Sequence, residues 1–103
     1  MDRRASVAEI RSHVARLVRR IDEGQGVLVL ADMFGGTAAN VALELVGTLP
    51  IEVVTGVNLP MLLKASTARA TAPDLTSLAQ LLKFYGQRNV VVASEILKER
   101  EQG

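Results

Sequence analysis

Five consecutive apolar residues, Val27-Leu28-Val29-Leu30-Ala31, stop at Asp32, and the glycine pair Gly35-Gly36 intervenes before a helical pattern resumes at Thr37. The run is too short for a buried helix and shows no polar alternation, so it reads as a core strand covered on both faces, as in a parallel sheet. Such a strand needs helices above and below it. Upstream, Val7, Ile10, Val14, Leu17, Val18 and Ile21 recur at spacings of three and four, with Arg11, Arg16, Arg19 and Arg20 mainly on the other side. That amphipathic helix opens on a capping-box pattern, Ser6 with Glu9 three residues on, and closes at Gly24. Downstream, the helix after the glycine pair carries Val41, Ala42 and Leu45 and ends by Gly47. A second strand, Ile51 to Thr55, follows Pro50, and Asn58 is placed to cap a helix containing Met61, Leu62 and Leu63. The Ala-rich stretch to Ala72 frays into a loop at Pro73. Asp74 is placed to cap a further helix with the stripe Leu75, Leu78, Leu82 and Tyr85, closed by Gly86. A last strand is expected from Val90 to Ala93, before a charged tail from Glu95 to Gly103 that is exposed or weakly helical.

Alternating strands and helices imply right-handed crossovers, and so an α/β three-layer fold: a mostly parallel sheet with helices on both faces. With 103 residues the chain is read as one domain, 1–103. Hydrophobic residues make up 49% of it and aromatics 3%, so the core must be built from Val, Leu, Ile and Ala. A formal charge of +1, with no aromatics interleaved among the basic residues, argues against a nucleic-acid partner. The chain has no cysteine, which removes disulfides, thiolate nucleophiles and Cys-based zinc sites. No apolar run approaches the roughly 20 residues that cross a bilayer, so no direct membrane insertion is expected and the cytoplasm is the default compartment. Three strands leave long unpaired edges. Either the chain pairs with another, or strands are missing from its front.

In an open α/β sheet, ligands gather beyond the carboxyl ends of the strands. Asp32 lies at such an end, Gly35 and Gly36 allow close approach of backbone to a ligand, and Thr37 falls at or near the N-cap of the next helix, where the dipole favours an anion. The plainer alternative is that Asp32 and Thr37 cap the helix and the glycines turn the chain. If the two strands are neighbours, the second loop, Gly56-Val57-Asn58-Leu59-Pro60-Met61, lies beside the first and Asn58 helps to shape the site; a cap role for Asn58 is equally compatible with the local sequence. No Walker or dinucleotide fingerprint is present.

The stretch Val27 to Thr37, with Asn40 shortly after, resembles the signature of the IIA components of the mannose/fructose/sorbose family of bacterial sugar phosphotransferase systems, and Val53-Val54-Thr55-Gly56-Val57-Asn58-Leu59-Pro60-Met61-Leu62 is similar to that family's second signature. Ala38 stands where the family commonly has proline. The resemblance implies a phosphocarrier: a phosphohistidine carrier protein donates to a IIA histidine, which passes the phosphoryl group to a IIB partner, with no cofactor and no metal. By the same resemblance Asp32 matches the carboxylate that orients the acceptor imidazole, and Gly35, Gly36, Thr37 and Asn58 the phosphate pocket. The family's acceptor histidine follows a first β-strand in a His-Gly context that nothing here matches, so the front strand-helix-strand unit is expected to be absent through truncation or true loss, and the chain as given to be inactive. The single histidine, His13, falls on the flank of the Arg-rich helix and is not taken as the acceptor. The family resemblance further implies a homodimer in which the last strand is exchanged between subunits. Two other readings stand beside this one: a non-catalytic dimerising or regulatory module derived from the same fold, and a receiver-like domain phosphorylated on Asp32, which is disfavoured because the acidic pair that would bind magnesium is missing.

Overall fold

The computed structural model describes residues 6–33 and 36–102. Helix α1, Val7–Ile21, begins where the Ser6 hydroxyl accepts the N–H of Glu9 at 3.1 Å. It ends at Asp22, earlier than Gly24, because the Asp22 carboxylate turns the chain by accepting the N–H groups of Gly24 (2.9 Å) and Gly26 (3.0 Å). Gly26 enters the first strand with φ +89°, and a Cβ there would stand 2.9 Å from the carbonyl oxygen of Pro50. That carbonyl accepts the N–H of Val27 at 2.8 Å, so the side-chain-free residue lets the two strands start together.

Strand β1, Val27–Ala31, and strand β2, Ile51–Thr55, pair in parallel with Val27 opposite Ile51 and Ala31 opposite Thr55. Helix α2, Thr37–Leu45, makes the crossover between them. On one face Val27, Ile51 and Val53 pack with Val18, Val41 and Leu45, forming a cluster against α1 and α2. On the other face Leu28, Leu30 and Val54 meet Met61, Ala68, Leu78, Ala79 and Leu82 of the next two helices. These are α3, Leu59–Ala68, capped by Asn58, and α4, Leu75–Arg88, capped by Asp74 through a 2.7 Å bond from the N–H of Ser77. Alternate strand residues thus serve opposite layers, as a strand buried on both faces requires. The architecture is the expected three-layer α/β arrangement, and the sheet among the described residues has two strands where three were expected.

The difference lies at the end of the chain. Val90, Val91 and Val92 belong to no strand and are 76%, 59% and 57% exposed, and Ala93 opens helix α5, Ala93–Gln102. Three β-branched residues favour a ladder only where a neighbouring strand supplies one, and none of the described strands pairs with them. The Glu, Leu, Lys and Arg residues that follow are good helix formers and continue as α5. Gly86, expected to close α4, lies inside it and is buried.

Candidate functional site

Because β1 and β2 are parallel and in register, Asp32 and Gly56 leave the sheet at the same end, where ligands of open α/β sheets collect. The two loops are joined directly: the N–H of Val57 donates to the carbonyl of Ala31 at 3.1 Å. Asp32 therefore follows immediately on a residue bonded to the second loop, and its side chain is exposed. Phe34 and Gly35 lie outside the described residues.

Gly36 is the N-cap of α2, with extended dihedrals (φ −73°, ψ 154°) and no side-chain cap. Thr37 is the first helical residue, not the cap. The first-turn amides of a helix have no intrahelical partner, and Gly36 contributes no side-chain cap to them. An added Cβ on Gly36 would meet no described atom within 4 Å, so among the described residues neither backbone conformation nor packing calls for glycine at this position. Gly56, by contrast, turns the second loop at φ +72°.

Asn58 is placed beside this site with its side chain already committed. Its Oδ1 accepts the N–H of Met61 at 3.0 Å, capping α3, and its Nδ2 donates to the carbonyl of Gly86 at 3.1 Å. Asp22 and Gly86 are the structurally important residues that the sequence reading assigned no such part. Gly86 carried a legible signal, since it stands four residues after Leu82 on the buried stripe, where a glycine marks close approach. His13 sits midway along α1 on its exposed side. It shares a shallow surface depression with Glu9 and Arg16. Among the described residues no group of three or more His, Asp or Glu side chains is placed to hold a metal ion, and no helix is long and apolar enough to cross a membrane.

Residues 3–82 match the family model described as the PTS system fructose IIA component. The chain is 36% identical over 72 residues to the PTS system mannose-specific EIIAB component of Escherichia coli (strain K12), a match covering 69% of this chain and 22% of that protein. The corresponding component of Shigella flexneri matches to the same extent, so the chain spans about 22% of the length of these curated relatives. The solved mannose/sorbose specific IIA subunit of the phosphotransferase system from Enterococcus faecalis superposes with a TM-score of 0.73 at 31% identity, covering 89% of this chain and 68% of that one.

Proposed function

From the premise that this chain belongs to the mannose/fructose family of phosphotransferase-system IIA components, we propose that it supplies the carboxylate-and-amide half of a phosphohistidine site used in sugar phosphotransfer. One observation carries the reading: the Val57 to Ala31 hydrogen bond holds the two signature loops together at the carboxyl end of the sheet. An imidazole placed there takes the phosphoryl group on one nitrogen and donates from the other to the Asp32 carboxylate, which fixes the tautomer and supports positive charge. The amides behind Gly36 and the Thr37 hydroxyl meet the phosphoryl oxygens, the family signature assigns Gly35 to the same pocket, and Asn58 borders it with its side chain bonded inside the protein. A glycine at position 36 that no described neighbour requires fits close approach by such a ligand. His13 is assigned no acceptor role, the donor is a phosphohistidine carrier protein, and the acceptor is a IIB component in the cytoplasm. No metal is required, because fixed dipoles can stabilise the transferring group.

Titration with inorganic phosphate, followed by amide NMR, tests this. The amides of Gly36 and Thr37 are expected to shift, and Asp32→Asn to tighten binding about fivefold by removing a like charge worth on the order of 1 kcal/mol near water. Unmoved amides at 36 and 37 would remove the basis of the reading. Incubation with phosphoenolpyruvate and the general phosphotransfer proteins should leave His13 unmodified, and a stoichiometric phosphohistidine there would reassign the acceptor.

A second reading, a dimerising or regulatory interaction module, is favoured by the exposed Val90 to Val92 and by Leu97 at 57% exposure. A IIA homodimer that covers this segment is compatible with both readings, and phosphate binding at Gly36 separates them.

A further inference from the structure

Gly86 occupies the interior of α4, where glycine is a poor helix former. A Cβ at this position would stand 2.6 Å from Cε of Met61 and 3.6 Å from both amide atoms of Asn58. The bare backbone therefore allows α4 to press against the start of α3. Its carbonyl oxygen accepts twice, from the N–H of Asn89 at 3.3 Å and from Nδ2 of Asn58 at 3.1 Å. Asn58 also holds the N–H of Met61 through Oδ1. The residue before it, Val57, holds the carbonyl of Ala31, and Ala31 carries Asp32.

We propose that Gly86 and Asn58 are positioning residues: α4 grips the second loop through the Asn58 amide, and that loop in turn fixes the end of β1 from which Asp32 projects. Asn58 then acts as a strut between α4 and the loop pair rather than as a phosphate ligand. Both of its functional groups are spent inside the protein, and Gly86 supplies the carbonyl that its amide nitrogen holds. The inference deepens the phosphate-site reading above and rests on it for its functional meaning, while the strut itself can be measured without any ligand.

Asn58→Ser separates the two jobs of the side chain, because a serine hydroxyl can still cap α3 but is too short to reach Gly86. Amide hydrogen exchange of the N58S chain is expected to speed up about tenfold at Val57, the scale of one lost hydrogen bond, with exchange at Leu82 unchanged. Simple loss of global stability would move both amides together. In the phosphate titration N58S should weaken the response of Gly36 and Thr37. An unchanged Val57 rate in N58S would overturn the strut. A wild-type chain that ignores phosphate while N58S still accelerates Val57 exchange would instead overturn the phosphate-site reading and leave the strut standing.

Discussion

Leu82 is fully buried at 0% exposure, in a cluster with Val54 of the sheet and Met61 and Ala68 of α3. Leu82→Ala is expected to cost about 2–5 kcal/mol, measured as a shift in urea midpoint at constant slope. For a domain of this size that is a large share of its total stability. Gly26 is the residue whose replacement most directly attacks the strand pair, because an alanine methyl there meets backbone, not only a side chain that can move. Gly26→Ala should cost more than about 1 kcal/mol, combining positive-φ strain with the clash on Pro50. Gly47, also at positive φ but with open space around it, should lose only the strain part when changed to alanine. The contrast is measurable in the same denaturant series. At this scale the sequence was partly legible. Asn58 offered two roles from its position before Leu59-Pro60, and its cap bond is present. Its bond to Gly86 was not readable, because the partners lie 28 residues apart and only packing brings them together.

Helix starts were the most legible elements, since a cap is a local bargain between one side chain and amides three residues on. Ser6, Asn58 and Asp74 all make the expected bond. Accepting hydrogen bonds from Ser77, first from its backbone N–H and then from its side chain, holds the Asp74 carboxyl below the ordinary aspartate range. A depressed folded value means that the ionised cap contributes its stability above the unfolded aspartate pKa of about 3.9 and loses it as pH falls through the lower folded value. Thermal melts of the wild type and of Asp74→Asn, which keeps an acceptor but does not titrate, should therefore converge as the medium is acidified below that range. A constant gap between them would deny the carboxylate its part. Element ends and the final segment were less legible. Asp22 ended α1 through two bonds to glycine amides, a turn that no helical period announces. Val90 to Val92 read as a strand by composition, and strand formation depends on a partner that the described residues do not present.

The whole molecule is elongated, 55 × 34 × 21 Å with a radius of gyration of 16.9 Å, against about 13 Å for a compact domain of this length. The excess accompanies a largely exposed C-terminal segment, Val90 to Glu101, and apolar side chains left in solvent on α3, with Leu59 at 66% and Leu63 at 62% exposure. Surfaces of this kind are usually covered. Sedimentation velocity should show association that rises with concentration, and Val91→Lys should weaken it while leaving the phosphate response at Gly36 intact. A clean monomer at high concentration would count against self-association. The layer order was legible from the alternation of strands and helices, whereas the number of strands was not, because counting runs says nothing of which runs find neighbours.

The two-stranded sheet has a thermodynamic consequence of its own. Among the described residues the cluster on α1 and α2 and the cluster on α3 and α4 share no buried residue, and they meet across a partition five register pairs wide. Such a septum transmits little of the penalty for melting one side to the other, so heat should dissolve the two half-cores with incomplete cooperativity. Calorimetry should then find a van't Hoff enthalpy below the calorimetric one, and a ligand or partner strand that widens the partition should bring the two values together.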